Sequence, residues 1–461
     1  MIRAGSLIRV LAKACVWMLA GLVVLLSIWF AVNRLSDEPL HPAQVVLKTA
    51  GDQIPDSQNA AVGILGLSAP AGVDFLAYGA RVKGLLLGNG PRAKILDMVE
   101  GPGNLHPTVG WDQVNCWLEP GQPLWKGCLP FDQAPMVLGQ NAVLLQRLRS
   151  LYRLTGFSGL YGSYNQTYIV VLRLSLAEMW LDLRQKNPEI AYQKFREQLL
   201  FVKRNLRGPD TWVGKAIGLV AYGMTLPFLE QLLYSAPGLA KTHASELLDM
   251  LRPEGADAIN PDGIARSEYA LLEKMLESPL PLRSEGDKWD WLASHLGQRN
   301  RIRNWYSAFL SEYAPALRLS WVDSERELAR LRQKYLYPPT RDILVDPFGS
   351  GFAARFIYGD VMTGEMVLQA HVIDVRLRLA TLMVRLINER ISDQDIPRFL
   401  AAAGPQLQDP FTGGPMRWAP RDRAIYFSDP KDKCWIGGLF RLPPVDPANG
   451  SSVPAVHFRL C

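Results

Sequence analysis

This chain has few of the residues that usually announce a catalyst. Of 461 residues only 5 are cysteine and 6 are histidine. The histidines, His41, His106, His243, His295, His371 and His457, are scattered. None forms a His-Glu-x-x-His pair, which excludes the common zinc-hydrolase helix. No Gly-x-Ser-x-Gly elbow, Walker lysine loop or Rossmann glycine fingerprint occurs, so no cofactor is expected. Charge of one sign is also scarce. The net charge is +6, and no long Lys/Arg block exists. The densest basic cluster is RNRIRN, with Arg299, Arg301 and Arg303. It reads as a solvated helix face, with a phosphate-binding patch as the alternative, and no nucleic-acid partner is expected. Long apolar runs are few.

What is present is an ordinary globular composition, 48% hydrophobic and 20% charged, in a chain long enough for two or three domains. The clearest local signal lies at the start. Arg3, Arg9 and Lys13 precede the uncharged run ACVWMLAGLVVLLSIWFAV, residues 14–32. A helix of about 20 such residues crosses a bilayer. Trp17 and Trp29 sit near its two ends, where amphipathic rings favour the interface. The basic flank predicts a cytoplasmic N-terminus, so residues 33–461 are expected in the periplasm. A cleaved signal peptide is the rival, but Asn33 and Arg34 stand where small residues would mark cleavage. AIGLVAYGMTLPFL, residues 216–229, is too short to span and reads as a buried core helix.

Apart from Cys15, the cysteines are Cys116, Cys128, Cys434 and Cys461. Four cysteines allow three pairings, and local pairing is the simplest: Cys116–Cys128 and Cys434–Cys461. The first would staple the Gly-, Pro- and Trp-rich loop NCWLEPGQPLWKGC, worth about 3 kcal/mol on a chain-entropy account. A zinc site is the alternative, but the spacing lacks a close Cys-x-x-Cys.

Composition divides the chain into a cytoplasmic basic segment (1–13), the signal anchor (14–32), a linker (33–55), a loop-rich region with the disulfide loop (56–140), a helical body (141–390) and a Pro-rich tail with a β-hairpin (391–461). Residues 90–135 are expected to be mostly loop. In the body, apolar spacing and Gly/Pro punctuation predict helices over about 166–185, 189–206, 211–234, 241–252, 265–277, 287–297, 301–313 and 322–335. Short loops between them predict an antiparallel helical array. The segment MTGEMVLQAHVIDVRLRLATLMVRLINERI carries two apolar stripes, one through Leu368, Val372, Val375, Leu379, Leu382 and Leu386, the other through Ala370, Ile373, Leu377, Ala380, Val384 and Ile387. Such a helix is buried on two sides. A third stripe, His371, Asp374, Arg378, Thr381, Arg385 and Asn388, either borders a cleft or forms a seam of paired charges. The fold class expected is mainly α: a transmembrane helix, a helical array and a small C-terminal β appendage.

The stretch DPFTGG, from Asp409, echoes DPFGSG, from Asp346. Asp before Pro starts turns, its carboxylate accepts downstream N–H groups, and Gly supplies positive φ. Both aspartates are therefore read as turn residues. GPMRWAP and RAIYFSD read as two strands joined at Pro420–Asp422, with VHFRL a possible third. The segment DIPRFLAAAGPQLQDPFTGGPMRWAPRDRAIYFSD thus orders a short helix, an Asp-Pro-aromatic turn, a Gly-Pro step and a hairpin. This order resembles the region after the long helix in type II secretion major pseudopilins, and the tails of many bacterial envelope proteins. The resemblance covers about 35 residues and implies a helix followed by a hairpin pinned by the turn. The pseudopilin N-terminal Gly-Phe-Thr-Leu-x-Glu motif is absent.

Two further patterns bear on function. Ser163-Tyr164-Asn165 matches the middle motif of penicillin-binding proteins, but the Ser-x-x-Lys at Ser428 follows it and no Lys-Thr-Gly comes after. Glu178 and Asp182 share a helix face and read as two solvated carboxylates rather than a glycosidase pair. The open constellation is SGLYGSYNQTY, with Tyr161, Tyr164, Asn165 and Gln166, and the cysteine loop crowded by Trp111, Trp117 and Trp125: exposed, such aromatics with amide neighbours suit a glycan or peptide surface, and buried, the reading preferred, they close the end of the helical array. Together with Asp374, Arg378 and Arg385 these residues form the candidate binding surface. The expected function is a non-catalytic, inner-membrane-anchored periplasmic interaction or scaffold protein with an envelope protein as partner. The alternative is an envelope hydrolase or binding protein acting on cell-wall glycan or peptide.

Overall fold

A computed structural model describes residues 13, 15–25, 27–28, 31, 39–48, 54–87, 92–110, 113–114, 129–159, 166–277, 299–335, 364–427 and 439–441. The protein is mainly helical with a small sheet. In chain order the helices are α1 (Cys15–Leu25), α2 (Ala43–Lys48), α3 (Ala60–Leu65), α4 (Phe75–Leu87), α5 (Arg92–Glu100), α6 (Ala134–Gln140), α7 (Ala142–Tyr152), α8 (Gln166–Arg184) and α9 (Pro188–Arg207). They continue with α10 (Trp212–Ser235), α11 (Gly238–Thr242), α12 (Ala244–Met250), α13 (Pro261–Glu277), α14 (Arg299–Leu317), α15 (Trp321–Tyr335), α16 (Gly364–Glu389) and α17 (Ile396–Ala401). The strands β1 (Arg417–Ala419), β2 (Ala424–Tyr426) and β3 (Leu439–Arg441) pair antiparallel in that order.

The chain divides into two compact units. One comprises Met1–Thr49, Tyr269–Tyr313 and Ala329–Met362; the other comprises Ala50–Glu268, Ala314–Leu328 and Thr363–Cys461. Residues 141–390 therefore contribute to both.

The larger unit is organised around α8, α9, α10 and α16. Helix α9 shows how the sequence selects its face. Asn187-Pro188 opens it and Gly208 closes it. Ala191, Tyr192, Phe195, Leu199, Val202 and Leu206 recur at helical spacing and are buried, packing on α10 and α8. Helix α10 is apolar on nearly every side and runs through the core. Its first N–H groups meet two carboxylates, Thr211 N to Asp210 Oδ1 at 2.7 Å and Trp212 N to Glu268 Oε1 at 2.7 Å. Anionic oxygens suit the positive end of a helix. In α16 the Leu368–Leu386 stripe is buried throughout, and the second stripe is buried as far as Val384.

The tail follows the order set by its punctuation: α17, a 3-10 turn at Pro405–Leu407, the DPFTGG turn, then the hairpin. Asp409 is buried, and its Oδ1 accepts Phe411 N at 2.9 Å while its carbonyl accepts Gly413 N at 2.8 Å. Gly413 has φ +69°, and Phe411 packs on Phe427 with ring centroids 5.6 Å apart. This aspartate is a turn residue. The matching Asp346 stretch lies outside the described residues.

Several expectations need correction. The stretch 90–135 is not all loop: Arg92–Glu100 is helical, with Tyr78 Oη donating to Met98 O at 2.7 Å. The third strand is Leu439–Arg441, because Phe440 stands opposite Ile425 on the open edge of β2. VHFRL lies outside the described residues. The helix expected over 241–252 is two, separated at His243. Glu178 and Asp182 are not solvated. Lys194 bridges them at 3.0 and 2.7 Å, and Arg149 reaches both oxygens of Glu178 at 2.5 Å. The cysteines Cys116, Cys128, Cys434 and Cys461 and the helix expected over 287–297 lie outside the described residues. Cys15 is exposed and unpaired.

In the smaller unit, the part of the expected linker at 39–48 is folded. Asn304 on α14 accepts from His41 N at 2.7 Å and Gln44 Nε2 at 2.6 Å, and donates to Pro39 O at 2.8 Å. Arg303, from the RNRIRN cluster, is no solvated side chain: it grips Glu273 through two bonds of 3.0 and 2.9 Å. An aromatic group of Trp305, Tyr306, Phe309, Tyr313 and Tyr335 fills the core of this unit.

Candidate functional site

Tyr161, Tyr164 and Asn165 lie outside the described residues, as do Trp111, Trp117 and Trp125. Gln166 is the first residue of α8. The charged stripe of α16 is described in full, and its charged members are paired within the protein. Asp374 keeps only 3% of its side chain exposed. Its Oδ1 accepts Gly255 N at 2.8 Å, and its Oδ2 accepts Arg378 Nε at 2.8 Å. Arg378 donates onward to Gln408 O at 2.9 Å. Thr381 donates to Leu251 O at 3.2 Å. Arg385 meets Glu389 at 3.1 Å and lies over the Phe399 ring at 5.0 Å. The stripe ties α16 to the 3-10 turn at Gly255–Ile259 and to the segment entering the DPFTGG turn. Burial holds the His371 imidazole below its usual range, with the Arg378 charge adding to the fall and Asp374 opposing it, and the ring packs against Trp321 at 5.9 Å.

A concave feature of the larger unit lies elsewhere. A cavity of about 750 Å³ opens where three segments converge. The loop after α5 contributes His106, Pro107, Val109 and Gly110; the first turn of α8 contributes Thr167, Ile169 and Val170; α10 contributes Val213, Ala216, Ile217 and Val220. The α10 residues recur at helical spacing, so one stripe of an otherwise buried helix faces the cavity. Val213 and Val220 remain 51% and 48% exposed there. The loop is held from behind. Buried Asn141, between α6 and α7, accepts Thr108 N at 3.0 Å and donates to Thr108 Oγ1 at 2.7 Å. Leu105 N donates to Ser68 O at 2.9 Å.

Cavities of this size are in the range that accepts small ligands. Val, Ile and Ala dominate this one, with His106 and Thr167 its polar side chains among the described residues. Those residues include no carboxylate and no lysine, so the chemistry on offer is aliphatic contact with polar groups beside it. Among the described residues no group of three or more His, Cys, Asp or Glu is placed to hold a metal ion.

The same turns of α10 bury a charged group. Asp210 fits where Gly159 and Gly214 leave room; a Cβ on either glycine would overlap its carboxylate. Burial pushes Asp210 up to about 7 against the pull of Lys215, and Glu268 adds to the rise. Burial likewise brings Lys215 down to about 7, opposed by Asp210. The Lys215 ammonium donates to the carbonyls of Leu206 and Gly208, which end α9. Sequence reading passed over this group. The signal was Gly-Pro-Asp-Thr-Trp-Val-Gly-Lys at 208–215, an acid and a lysine flanking the start of a core helix. The α10 stripe was likewise absorbed into the reading of a buried helix.

No protein-family model matches the chain, and no curated protein or solved structure matches it either.

Proposed function

We propose that this chain is a non-catalytic interaction protein of the bacterial cell envelope, anchored in the inner membrane by residues 14–32, with residues 33–461 in the periplasm as a helical array with a β tail. The observation that carries the reading is the aliphatic cavity: it suits an apolar group of a partner, and its described lining holds no acid–base pair. The anchor is supported by α1, whose apolar side chains have no protein cover, among them Trp17 at 76% exposure and Leu25 at 66%. Ser27, a polar residue just after it, donates to Val23 O at 2.8 Å, so its hydroxyl is met within the helix. The partner is an envelope protein that inserts an aliphatic side chain between α8 and α10.

The test is a photocrosslinking residue at Val220 in the full-length chain, in intact cells. One discrete protein adduct that disappears when Ile217→Asp is added supports the reading. Adducts to glycan or wall peptide favour the alternative, an envelope hydrolase or binding protein acting on cell wall. Lipid adducts alone, or none, overturn the protein-partner reading.

A further inference from the structure

We infer that the smaller unit is seated on the bilayer surface by Leu40, Val45 and Val46. The inference rests on the proposed anchor at residues 14–32. Helix α2 turns Gln44 and Leu47 inward and leaves Val45 and Val46 at 74% and 69% exposure; Leu40, just before it, is 52% exposed. Three exposed aliphatic residues within one short stretch are a cost in water and a gain at a headgroup–acyl boundary.

The occupant follows from chain geometry. Pro39 comes seven residues after Val32, the last residue of the apolar run. Fully extended, that many residues reach at most roughly 25 Å. The Asn304 clip holds Pro39, His41 and Gln44 on α14, so this limit applies to the folded unit and not merely to a tether. A body held so close to the membrane at one point presents its nearest apolar knob to lipid. The surrounding charge agrees. Lys48 ends α2, paired with Glu273 at 3.5 Å and still 47% exposed, and Arg299 is exposed in the first turn of α14. Cations at this depth favour anionic headgroups. Shallow insertion of Leu40, Val45 and Val46 would therefore add a second contact to the anchor and limit how the unit tilts.

The test uses the full chain in vesicles of phosphatidylethanolamine and phosphatidylglycerol, with a trace of phospholipid bearing a diazirine in its acyl chain. After illumination, adducts are mapped by peptide mass spectrometry. Adducts at residues 15–28 and at 40–46 are the expected result. Adducts at 15–28 without any at 40–46 overturn the seating while leaving the anchor standing. No adducts at 15–28 overturn the anchor, and the seating with it. The double variant Val45→Asp, Val46→Asp changes only exposed side chains, so its urea midpoint should match that of the parent. Its adduct yield at Leu40 should fall roughly tenfold, with yield at 15–28 unchanged. An unchanged yield at Leu40 would show that labelling there reflects proximity rather than insertion, and would overturn the proposal.

Discussion

Helices α1 and α10 are written in the same apolar alphabet and meet opposite surroundings. Helix α10 is long and apolar enough to cross a membrane, yet 67% of its most apolar stretch is buried inside the protein. Helix α1 is shorter as described, and its side chains stand open. The difference lies in what accompanies the apolar residues. Helix α10 carries Lys215 and Glu230, both buried, and Lys215 finds two backbone carbonyls on α9. An ion in mid-bilayer costs about 2.5–3.5 kcal/mol per residue, so a helix with internal charges and protein acceptors belongs to a protein core. The run at 14–32 has no charge within it and three basic residues before it. Hydropathy alone does not separate the two; the placement of charge does.

The sharpest way to break this comparison is to shave one leucine from each helix. Leu229→Ala in α10 removes a fully buried side chain and should cost about 2–5 kcal/mol. Leu22→Ala in α1 should leave the unfolding free energy within about 0.5 kcal/mol. Urea unfolding of the full chain in mild detergent measures both. Equal losses would mean that α1 is packed against protein, and the contrast would fail.

The next effect concerns the stripe of α16. Asp374→Ala removes the acceptor for Gly255 N and the partner of Arg378, and should cost about 3 kcal/mol. Arg385→Ala removes a half-exposed pair and should cost under about 1 kcal/mol. If Asp374→Ala instead left stability intact and abolished partner capture, the stripe would be a binding surface after all.

The smallest effect is a pH dependence, and it probes the charges that distinguish α10. Unfolded, Asp210 releases its proton near 3.8; folded, near 7. Its contribution to stability is full below about pH 4 and is lost as pH rises through 7. Lys215 runs the other way: it holds its proton to about 10.5 unfolded and to about 7 folded. Its contribution is full above about pH 10.5 and is lost as pH falls through 7. Together they place a minimum of stability near neutrality, with stability rising on either side. Urea midpoints from pH 5 to 9 should show Asp210→Asn flattening the acid limb and Lys215→Met the alkaline one. Parallel profiles in parent and variants would remove this group as a source of pH sensitivity.

Local punctuation was legible. Asn187-Pro188 and Gly208-Pro209 bound α9, the two stripes of α16 announce its burial, and Asp409 with Gly413 writes its own turn. Features built from distant segments were not. Asp374 takes its meaning from Gly255, 119 residues away, and Arg378 from Gln408. The cavity needs 106–110, 167–170 and 213–220 in one place, and no periodicity within any one of them says that they meet. Strand β3 is three residues long and exists because β2 has an open edge. Helix α5 escaped notice because glycine and proline crowd both its ends.

The amide of Asn304 has a mechanical consequence. Force arriving along the N-terminal segment reaches Pro39, His41 and Gln44, and one side chain receives it through three hydrogen bonds at once. Bonds loaded side by side share the strain, whereas a single bond would take all of it. The load then enters a helix of 19 residues rather than a loop. Asn304 is in that sense a strain relief, like the collar where a cable enters its housing: drag on the cable stops at the collar before it reaches the wiring inside.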